Sequence, residues 1–301
     1  MSALPVASVI VPSYNRPDTL MGCLESLARQ SFPPAHFEVI VIDDGSPQPL
    51  RLPAALSPGG TPVTLVRQAN TGPAGARNRG LAEARGEFVA FIDDDCRADA
   101  RWLETLIAAL RSRPGAAVGG TVVNALDRNP FAEASQILVS FVRDYYDGEA
   151  ARTRFFTTNN LAFPREALSA SGGFAEEYVR AAAEDRELCD RWHAQGRPML
   201  TASDALVHHR HDLTLGTFVR QHYNYGVGAR QFRAAIAARN GDRVRVEPPG
   251  FYLGLLMAPL RRHGAAGLVH LALIAVAQLA NAIGFLRTPP LTGPAMTKAL
   301  Q

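Results

Sequence analysis

The segment Glu87-Phe88-Val89-Ala90-Phe91-Ile92-Asp93-Asp94-Asp95 places three consecutive carboxylates directly after a short apolar run. An apolar run of this length is typical of a buried β-strand. Adjacent acids repel one another, and strands are depleted in aspartate. The triplet therefore suits the end of a strand that holds a divalent cation, because Mg²⁺ and Mn²⁺ prefer oxygen ligands. Aspartate is also common in turns, so a solvated turn is the alternative for the triplet taken alone.

The chain around this segment alternates between strand-like and helix-like stretches. Short runs rich in valine and isoleucine predict strands over 8–12, 38–42, 63–67 and 87–92. Helices are expected over 18–30, with Asp18 as N-cap, and over 74–84 and 99–111. The strands show little polar alternation, so we expect both of their faces to be buried. This predicts an α/β fold with a parallel sheet flanked by helices.

Polar clusters follow three of the predicted strands. They are Ser13-Tyr14-Asn15-Arg16, Asp43-Asp44-Gly45-Ser46 and the triplet at 93–95. Open α/β sheets bind ligands outside the carboxyl ends of their strands. Three strand ends that deliver polar groups to one edge predict a binding site there.

The middle of the chain is less regular. Residues 159–163 predict a short strand, 171–174 a tight turn, and 199–209 a strand that runs into the histidine cluster at 208–211. Between them, residues 184–195 predict a helix. It opens with Glu184 and Asp185, where two acids also suit the helix dipole.

The sequence changes character at about residue 212. A long amphipathic helix is expected over 213–239, and nine arginines stand against three acids between residues 210 and 262. Apolar stretches follow at 251–260 and 264–286, of which only the second is long enough to cross a bilayer, at about 1.5 Å per residue. We expect a basic amphipathic and apolar helical region that binds an anionic membrane surface. A helical subdomain that packs on the core or on a second copy is the alternative, which leaves the oligomeric state open.

Composition narrows the class of protein. The 301 residues are 47% hydrophobic and 20% charged, as in an ordered globular protein. The net charge of +3 offers no field that would attract nucleic acid. Three widely spaced cysteines without a CxxC pair indicate neither a disulfide framework nor a zinc site. Residues 1–15 lack the pattern of a signal peptide, so we expect the chain to work in the cytoplasm.

The chain resembles the family 2 glycosyltransferases, which have the GT-A fold of nucleotide-diphospho-sugar transferases. The resemblance covers about residues 6–211. Five motifs carry it in the right order: 8–15, 39–46, 70–80, 91–95, and Gly172-Gly173-Phe174 followed by Glu184-Asp185. It implies a GT-A catalytic domain over 1–211, with a Rossmann-like, mixed but mainly parallel sheet flanked by helices. It also implies a separate C-terminal helical region over 212–301.

The resemblance also implies which residues bind the nucleotide-diphospho-sugar donor. These are Pro12, Tyr14, Asn15, Asp43, Asp44, Arg77, Asp93 and Asp94. Their chemistry agrees, since carboxylates accept hydrogen bonds from a base or a ribose and arginine pairs with phosphate. Ordinary turns at Asn15 and before Gly45 are the alternatives.

A divalent cation, Mg²⁺ or Mn²⁺, is implied as cofactor. Asp95 would be its main ligand, Asp94 would contact the ribose or the metal, and His209 or His211 would complete the shell. The cation would bridge the two phosphates and stabilise the departing nucleoside diphosphate. For each histidine taken alone, an ordinary surface position is the alternative.

Asp185 is the expected general base, and Glu184 would orient it or touch the acceptor. Attack by an acceptor hydroxyl requires removal of a proton, and a well-placed carboxylate contributes about 10²–10⁴-fold to such a step. A single displacement inverts the anomeric configuration. The alternative is that both acids serve only the helix N-terminus.

The sequence therefore predicts an inverting glycosyltransferase on the cytoplasmic side of the cell membrane. A glycan or glycolipid acceptor, lipid-linked or part of an envelope polysaccharide, would explain the basic and apolar C-terminal region. A nucleotidyltransferase is the first rival, but it would normally need a lysine-containing signature, and the first 297 residues contain no lysine. A non-catalytic nucleotide-sugar-binding scaffold is the second.

Overall fold

The computed structural model describes residues 4–52, 60–147, 155–178, 182–240 and 246–289. They group into two compact units. The first comprises Met1–Ala125, Phe156–Val179 and Leu188–Arg210, and the second comprises Leu126–Phe155, Arg180–Glu187 and His211–Gln301. The second unit thus includes two segments that the sequence analysis assigned to the catalytic domain. The division into functional domains at 211/212 stays a prediction.

The first unit contains the sheet and the helices that cover it. Its elements are β1 (Ala7–Ser13), α1 (Pro17–Ala28), β2 (Phe37–Asp44), β3 (Val63–Gln68), α2 (Gly72–Glu83), β4 (Phe88–Phe91), β5 (Cys96–Ala98), α3 (Trp102–Ser112), β6 (Ala117–Asn124), β7 (Leu161–Pro164), α5 (Arg165–Ala170) and β8 (Met199–His209). The second unit contains α4 (Pro130–Asp147), α7 (Leu215–Asn240), α8 (Pro249–His263) and α9 (Leu268–Arg287). Helix α6 (Glu184–Ala194) begins in the second unit and continues in the first.

The eight strands form one sheet in the order β3-β2-β1-β4-β7-β6-β8-β5. Strands β1 to β4 run parallel, and β6 runs parallel to β8. Strand β7 runs antiparallel to both of its neighbours, and β5 runs antiparallel to β8. This confirms the mixed, mainly parallel sheet. All four strands predicted in the first half are present.

Burial on both faces explains why these strands lack polar alternation. In β1, Val9 and Val11 belong to one hydrophobic core, whereas Ile10 belongs to the core on the other face. Helix α2 lies close against the sheet, because a Cβ on Gly80 would overlap the side chain of Ile10. Successive strand residues point to opposite faces, so an apolar residue is needed at every position.

Three local features differ from the sequence expectation. Helix α1 begins at Pro17 with Arg16 as N-cap, so Asp18 lies in the first turn and is not the cap. Strands β5 and β6 and helix α4 were not predicted. Strand β6 contains Gly119 and Gly120, which weaken a strand pattern. Gly120 is required because a Cβ there would overlap the carbonyl of Ala205.

The second unit has a hydrophobic core of its own. Its buried residues come from α4, α7, α8, α9 and the residue Leu213. Helices α7 and α9 touch backbone to backbone, since a Cβ on Gly226 would overlap the carbonyl of Asn281, and one on Gly284 that of Tyr223. The predicted long helix is confirmed as α7, and the two apolar stretches as α8 and α9.

Helix α9 exposes an entirely apolar face. The segment Pro249–Arg287 is long and apolar enough to cross a membrane, with a mean hydropathy of 1.9 over its most apolar window, of which 22% is buried. The exposed positions between 268 and 286 are Leu268, Val269, Ala272, Ala275, Val276, Leu279, Ala282, Ile283 and Leu286. No acid occurs between residues 249 and 289, whereas three arginines do. This agrees with the expected membrane-associating appendage.

Candidate active site

The carboxyl ends of β1, β2 and β4 meet at one edge of the first unit. The register places Ser13 beside Asp43, and Ile10 beside Phe91. The polar residues that follow each strand are therefore neighbours, as expected from the parallel arrangement.

Asp94 and Asp95 share one cationic partner. Arg16 Nη1 lies 3.3 Å from Asp94 Oδ1 and 2.9 Å from Asp95 Oδ2. The hydroxyl of Ser13 donates to Asp94 Oδ2 at 2.6 Å. Burial, and then the charge of Asp95, raises the pKa of Asp94 to about 7, although Ser13 and Arg16 oppose the rise. The pair thus carries more negative charge than its surroundings accommodate, which favours binding of a cation.

His209 is brought against the same pair. Its Nε2 lies 3.3 Å from Asp95 Oδ1, and strand pairing sets Cys96 opposite His209. Burial lowers the pKa of His209, but the hydrogen bond and charge of Asp95 outweigh burial, so the pKa lies above its ordinary value. His208 points to the other face of β8, because strand side chains alternate. His211 belongs to the second unit.

The donor set fits a divalent cation. Ligand atoms of Asp95, Cys96 and His209 all lie within 4.8 Å of one another. Burial raises the pKa of the Cys96 thiol well above its usual range, which keeps it protonated, and only a thiolate binds metal well. Carboxylate oxygens of Asp95 and Asp94 with the imidazole of His209 form the better set, and it matches the ligands predicted from the sequence.

Arg77 of α2 lies at the same edge of the sheet, next to the residues that follow β4. Its Nη2 donates to Asp93 Oδ1 at 2.8 Å, and its guanidinium lies 5.7 Å from the ring centroid of Phe174. The arginine side chain is buried, whereas Asp93 is partly exposed. The structure therefore pairs two of the predicted donor-binding residues with each other.

Asp43 and Asp44 are held by donors of the chain itself. Asp43 accepts the backbone N–H groups of Ser46 and Leu50, and Arg67 Nη1 lies 3.3 Å from it. Burial raises the pKa of Asp43, but these contacts outweigh burial and bring the pKa below its ordinary value. Asp44 caps helix α2 by accepting the N–H groups of Thr71 at 3.0 Å and Gly72 at 2.9 Å, and also the amide of Gln68. Both acids thus shape the loops at this edge.

The turn after β1 presents an aromatic ring. Asn15 adopts a left-handed backbone with φ of 55°, and its N–H donates to Ser46 Oγ at 2.9 Å. Tyr14 is 48% exposed, which leaves its ring accessible. Pro12 lies half-buried within β1. An aromatic ring at a strand end is suited to stacking on a base.

The Gly172-Gly173 turn joins several motifs of the first unit. Both glycines have positive φ, 91° and 67°, and thus need the freedom of glycine. Arg191 of α6 donates to the carbonyls of Ser171 and Gly173. Asn78 of α2 accepts the N–H of Phe174 and donates to its carbonyl, both at 2.8 Å. The predicted tight turn is confirmed.

Glu184 and Asp185 form the first turn of α6, in the part of the helix that belongs to the second unit. Glu184 is buried, and Asp185 Oδ1 accepts the N–H of Arg186 at 2.8 Å. The residue before them, Ala183, has a left-handed backbone with φ of 75°. Such a conformation is uncommon for a residue with a side chain.

Sequence reasoning missed the roles of Ser13, Arg16 and Cys96. Ser13 and Arg16 had been noted only as part of a polar cluster. Their partners lie about eighty positions away along the chain. The available signal was that parallel strands end at the same edge, which makes residues after β1 neighbours of those after β4.

The profile of the family described as "Glycosyl transferase family 2" matches residues 8–174. That span covers more than half of the chain and includes the ends of β1, β2 and β4. The chain belongs to glycosyl transferase family 2. The resemblance stated from the sequence motifs is thereby confirmed.

Two relatives show the range of the family. A validoxylamine A glucosyltransferase from Streptomyces hygroscopicus subsp. limoneus is 30% identical over 236 residues, which is 68% of this chain and 51% of the relative. A pre-mycofactocin glycosyltransferase from Mycobacterium tuberculosis is 28% identical over 278 residues, 90% of this chain and 56% of the relative. The chain thus spans about half the length of these relatives.

A solved structure supports the fold. The mannosyltransferase PcManGT from Pyrobaculum calidifontis, in complex with GDP-Man and Mn²⁺, aligns with a TM-score of 0.58 at 23% identity. The alignment covers 99% of this chain and 79% of that protein. The sheet described above is therefore a GT-A fold.

Proposed function

We propose that the chain is an inverting glycosyltransferase that moves a sugar from a nucleotide-diphospho-sugar to a hydroxyl acceptor. The observation that carries this proposal is the cluster of Asp94, Asp95 and His209 at a strand edge of a family 2 chain. Membership of the family supports the reaction class. The acid cluster supports the type of donor, because a diphosphate and a cation bind such an edge together.

The donor would lie along the ends of β1, β2 and β4. Tyr14 offers a ring for stacking, and Asp43 and Asp44 would accept hydrogen bonds from the base or the ribose beside those that they accept from the chain. Arg77 and Asp93 would face the phosphates and the sugar. The aligned mannosyltransferase holds a nucleotide-sugar and Mn²⁺, which supports this kind of donor.

Asp95 and His209 would hold Mg²⁺ or Mn²⁺, with Asp94 beside them. When bound, the cation would supply positive charge to the leaving diphosphate. Arg16 would have to release the carboxylates that it pairs with here. Because its side chain is 54% exposed, it has room to turn away.

Asp185 would act as the general base. The acceptor oxygen forms a bond to the anomeric carbon, the bond from that carbon to the diphosphate breaks, and Asp185 takes the hydroxyl proton. Glu184 would orient Asp185 or contact the acceptor. The two rivals, a nucleotidyltransferase and a non-catalytic scaffold, would not need this base.

The acceptor would be a glycan or glycolipid at the cytoplasmic side of the cell membrane. The apolar face of α9 supports this, because its exposed positions from 268 to 286 carry no charge. Arg261 and Arg262 end α8 and Arg287 ends α9, which favours an anionic surface. Vesicle flotation tests the idea. Leu279→Asp should abolish co-flotation with anionic vesicles, and equal flotation of both proteins would contradict it.

Calorimetric titration of UDP, GDP and dTDP tests the donor site directly. Each nucleotide is added to the purified chain in the presence of Mn²⁺ or EDTA. We expect one nucleotide to bind only with Mn²⁺, and Asp95→Ala to abolish that binding. Asp204→Ala, a change at an exposed acid of β8, is the matched control. Failure of a folded chain to bind any of the three would overturn the proposal.

A further inference from the structure

Arg186 stands in an aromatic enclosure within the second unit. Its guanidinium carbon lies 5.2 Å from the ring centroid of Tyr146, 5.6 Å from that of Phe155 and 5.1 Å from that of Phe232. Cation–π contacts of this kind are attractive, and more strongly so where water is excluded. Three of them on one guanidinium hold the side chain in one place.

Hydrogen bonds fix the same side chain from its far end. Arg186 Nη2 donates to the hydroxyl of Tyr146 at 3.0 Å, and that hydroxyl donates to Glu247 Oε1 at 2.6 Å. Arg233 of α7 donates to the same carboxylate oxygen at 2.9 Å. The network joins α4, α7, the residues before α8 and the first turn of α6, so Arg186 connects that turn to three other parts of the unit.

The backbone on the other side of Asp185 is held as well. Ala182 packs against α7 so closely that a Cβ on Gly228 would lie 2.6 Å from the Ala182 carbonyl oxygen. Ala183 then adopts φ of 75°, a left-handed conformation that is unfavourable for a residue with a side chain. A strained residue persists only where its surroundings fix it, and such residues cluster at functional sites.

We propose that Arg186 is a positioning residue that holds the first turn of α6, so that Asp185 meets the acceptor in one fixed orientation. The proposal rests on the proposed function, which makes Asp185 the general base. The guanidinium of Arg186 lies among the rings and donates to Tyr146, so its proposed role is exerted through Asp185. Orientation matters because a displacement of about 1 Å at a reacting group can cost 10²-fold in rate.

The test compares rate with affinity in Arg186→Met, which keeps the aliphatic stem and removes the guanidinium. Nucleoside diphosphate release from UDP-glucose, UDP-N-acetylglucosamine and GDP-mannose is measured with Mn²⁺, together with the Kd of the free nucleotide. We expect kcat to fall about 10–100-fold and Kd to change less than twofold. Arg186→Lys should recover part of the rate, because lysine keeps the cation–π contacts without the planar hydrogen bonds.

Arg230→Met is the matched control. Arg230 lies 5.3 Å from the ring of Phe285 in the same unit, so its loss removes a similar contact from another place. We expect Arg230→Met to leave kcat unchanged. An equal loss of rate in both variants would overturn the proposal, since the effect would then follow general destabilisation of the unit.

Gly228→Ala keeps the proposal testable if Arg186→Met does not fold. It leaves the Arg186 side chain unchanged and forces the Ala182 backbone and α7 apart, so it should also lower kcat without changing Kd. Asp185→Asn distinguishes the assignment of Asp185 as the base from the positioning role of Arg186. Unchanged turnover in Asp185→Asn would refute the assignment of the base, whereas its loss combined with full activity in Arg186→Met would refute the positioning role alone.

Discussion

One pair of adjacent aspartates ends β2 and a second pair follows β4, the strands on either side of β1. The first pair accepts from backbone N–H groups as well as from the side chains of Arg67 and Gln68, whereas side chains hold the second pair. Asp43 and Asp44 accept backbone N–H groups from the loops that follow β2 and β3. Asp94 and Asp95 are held by side chains, those of Ser13, Arg16 and His209. The pKa values follow the same division: that of Asp43 is lowered, whereas that of Asp94 is raised to about 7.

The contrast separates acids whose partners are fixed by the backbone from acids whose partners are side chains that can move. Backbone donors are set in place by folding and cannot turn away, so they stabilise the ionised carboxylates permanently. Side-chain donors can rotate, and a cation can replace them. Identical residue types at the end of β2 and after β4 thus support loop structure in one case, and for the other we propose metal binding.

Asp44→Ala should show the largest effect on stability. It leaves the N–H groups of Thr71 and Gly72 without their acceptor at the start of α2. Loss of a helix cap costs about 1–2 kcal/mol, and the half-buried N–H of Gly72 adds a cost at the lower end of the about 1–3 kcal/mol of an unpaired buried group. We expect the free energy of unfolding, measured with urea, to fall by about 2–4 kcal/mol. Asp95→Ala is the comparison, because its partners Arg16 and His209 are side chains that can turn away, and an equal loss there would remove the distinction between the two pairs.

The sheet was predictable from the sequence because burial on both faces leaves a pattern in each strand. Every position of β2 is buried, which favours apolar residues up to Ile42. The one acid before the end, Glu38, is paired with Ser8 and Arg85. The location of the candidate site was also predictable, because parallel strands end at the same edge of the sheet. Strand β6 escaped prediction because its glycines serve close packing against Ala205 and Asn160, a requirement that exists only in the folded chain.

The sequence predicted the acids of the candidate site but not the roles of Ser13 and Arg16, which contact them. Asp94 and Asp95 stand out as neighbours in the sequence, and the resemblance singled out His209 or His211. Arg16 could not be assigned, because its two salt bridges span 78 and 79 positions. The contacts of Arg186 could not be predicted either, since the three rings around it come from distant segments of the chain.

His222 extends the comparison to a buried group with neither kind of partner. It is fully buried in α7, and within the described residues neither of its ring nitrogens has a hydrogen-bond partner. Burial lowers its pKa to about 4. An unfolded histidine titrates near pH 6.5, so between pH 6.5 and 4 the unfolded chain binds a proton that the folded chain does not. Stability should therefore fall as the pH drops through this range.

His222→Leu tests this account. Between pH 7 and pH 5 the histidine should reduce the free energy of unfolding by about 2 kcal/mol, at about 1.4 kcal/mol per pH unit below 6.5. The variant should lose that part of the pH dependence, as measured by urea denaturation at both values. His193→Leu, a change at an exposed histidine of α6, is the control. An unaltered pH dependence in His222→Leu would show that the imidazole is solvated or paired.

Arg16→Gln should give the smallest effect. It tests whether a cation can replace Arg16 as the partner of Asp94 and Asp95. In this structure Arg16 occupies the place between Asp94 and Asp95 where a cation would bind, so metal has to displace it. Because the arginine is largely exposed, each of its salt bridges is worth about 1 kcal/mol or less. We expect the Kd for Mn²⁺ without nucleotide, measured by electron paramagnetic resonance of free Mn²⁺, to fall about three- to tenfold. Arg85→Gln is matched in exposure and in a buried carboxylate partner, Glu38, but does not contact the pair. If Arg85→Gln strengthened Mn²⁺ binding equally, the change in net charge and not the removal of a competing arginine would be the cause. Weaker binding in Arg16→Gln would mean that Arg16 supports the metal site.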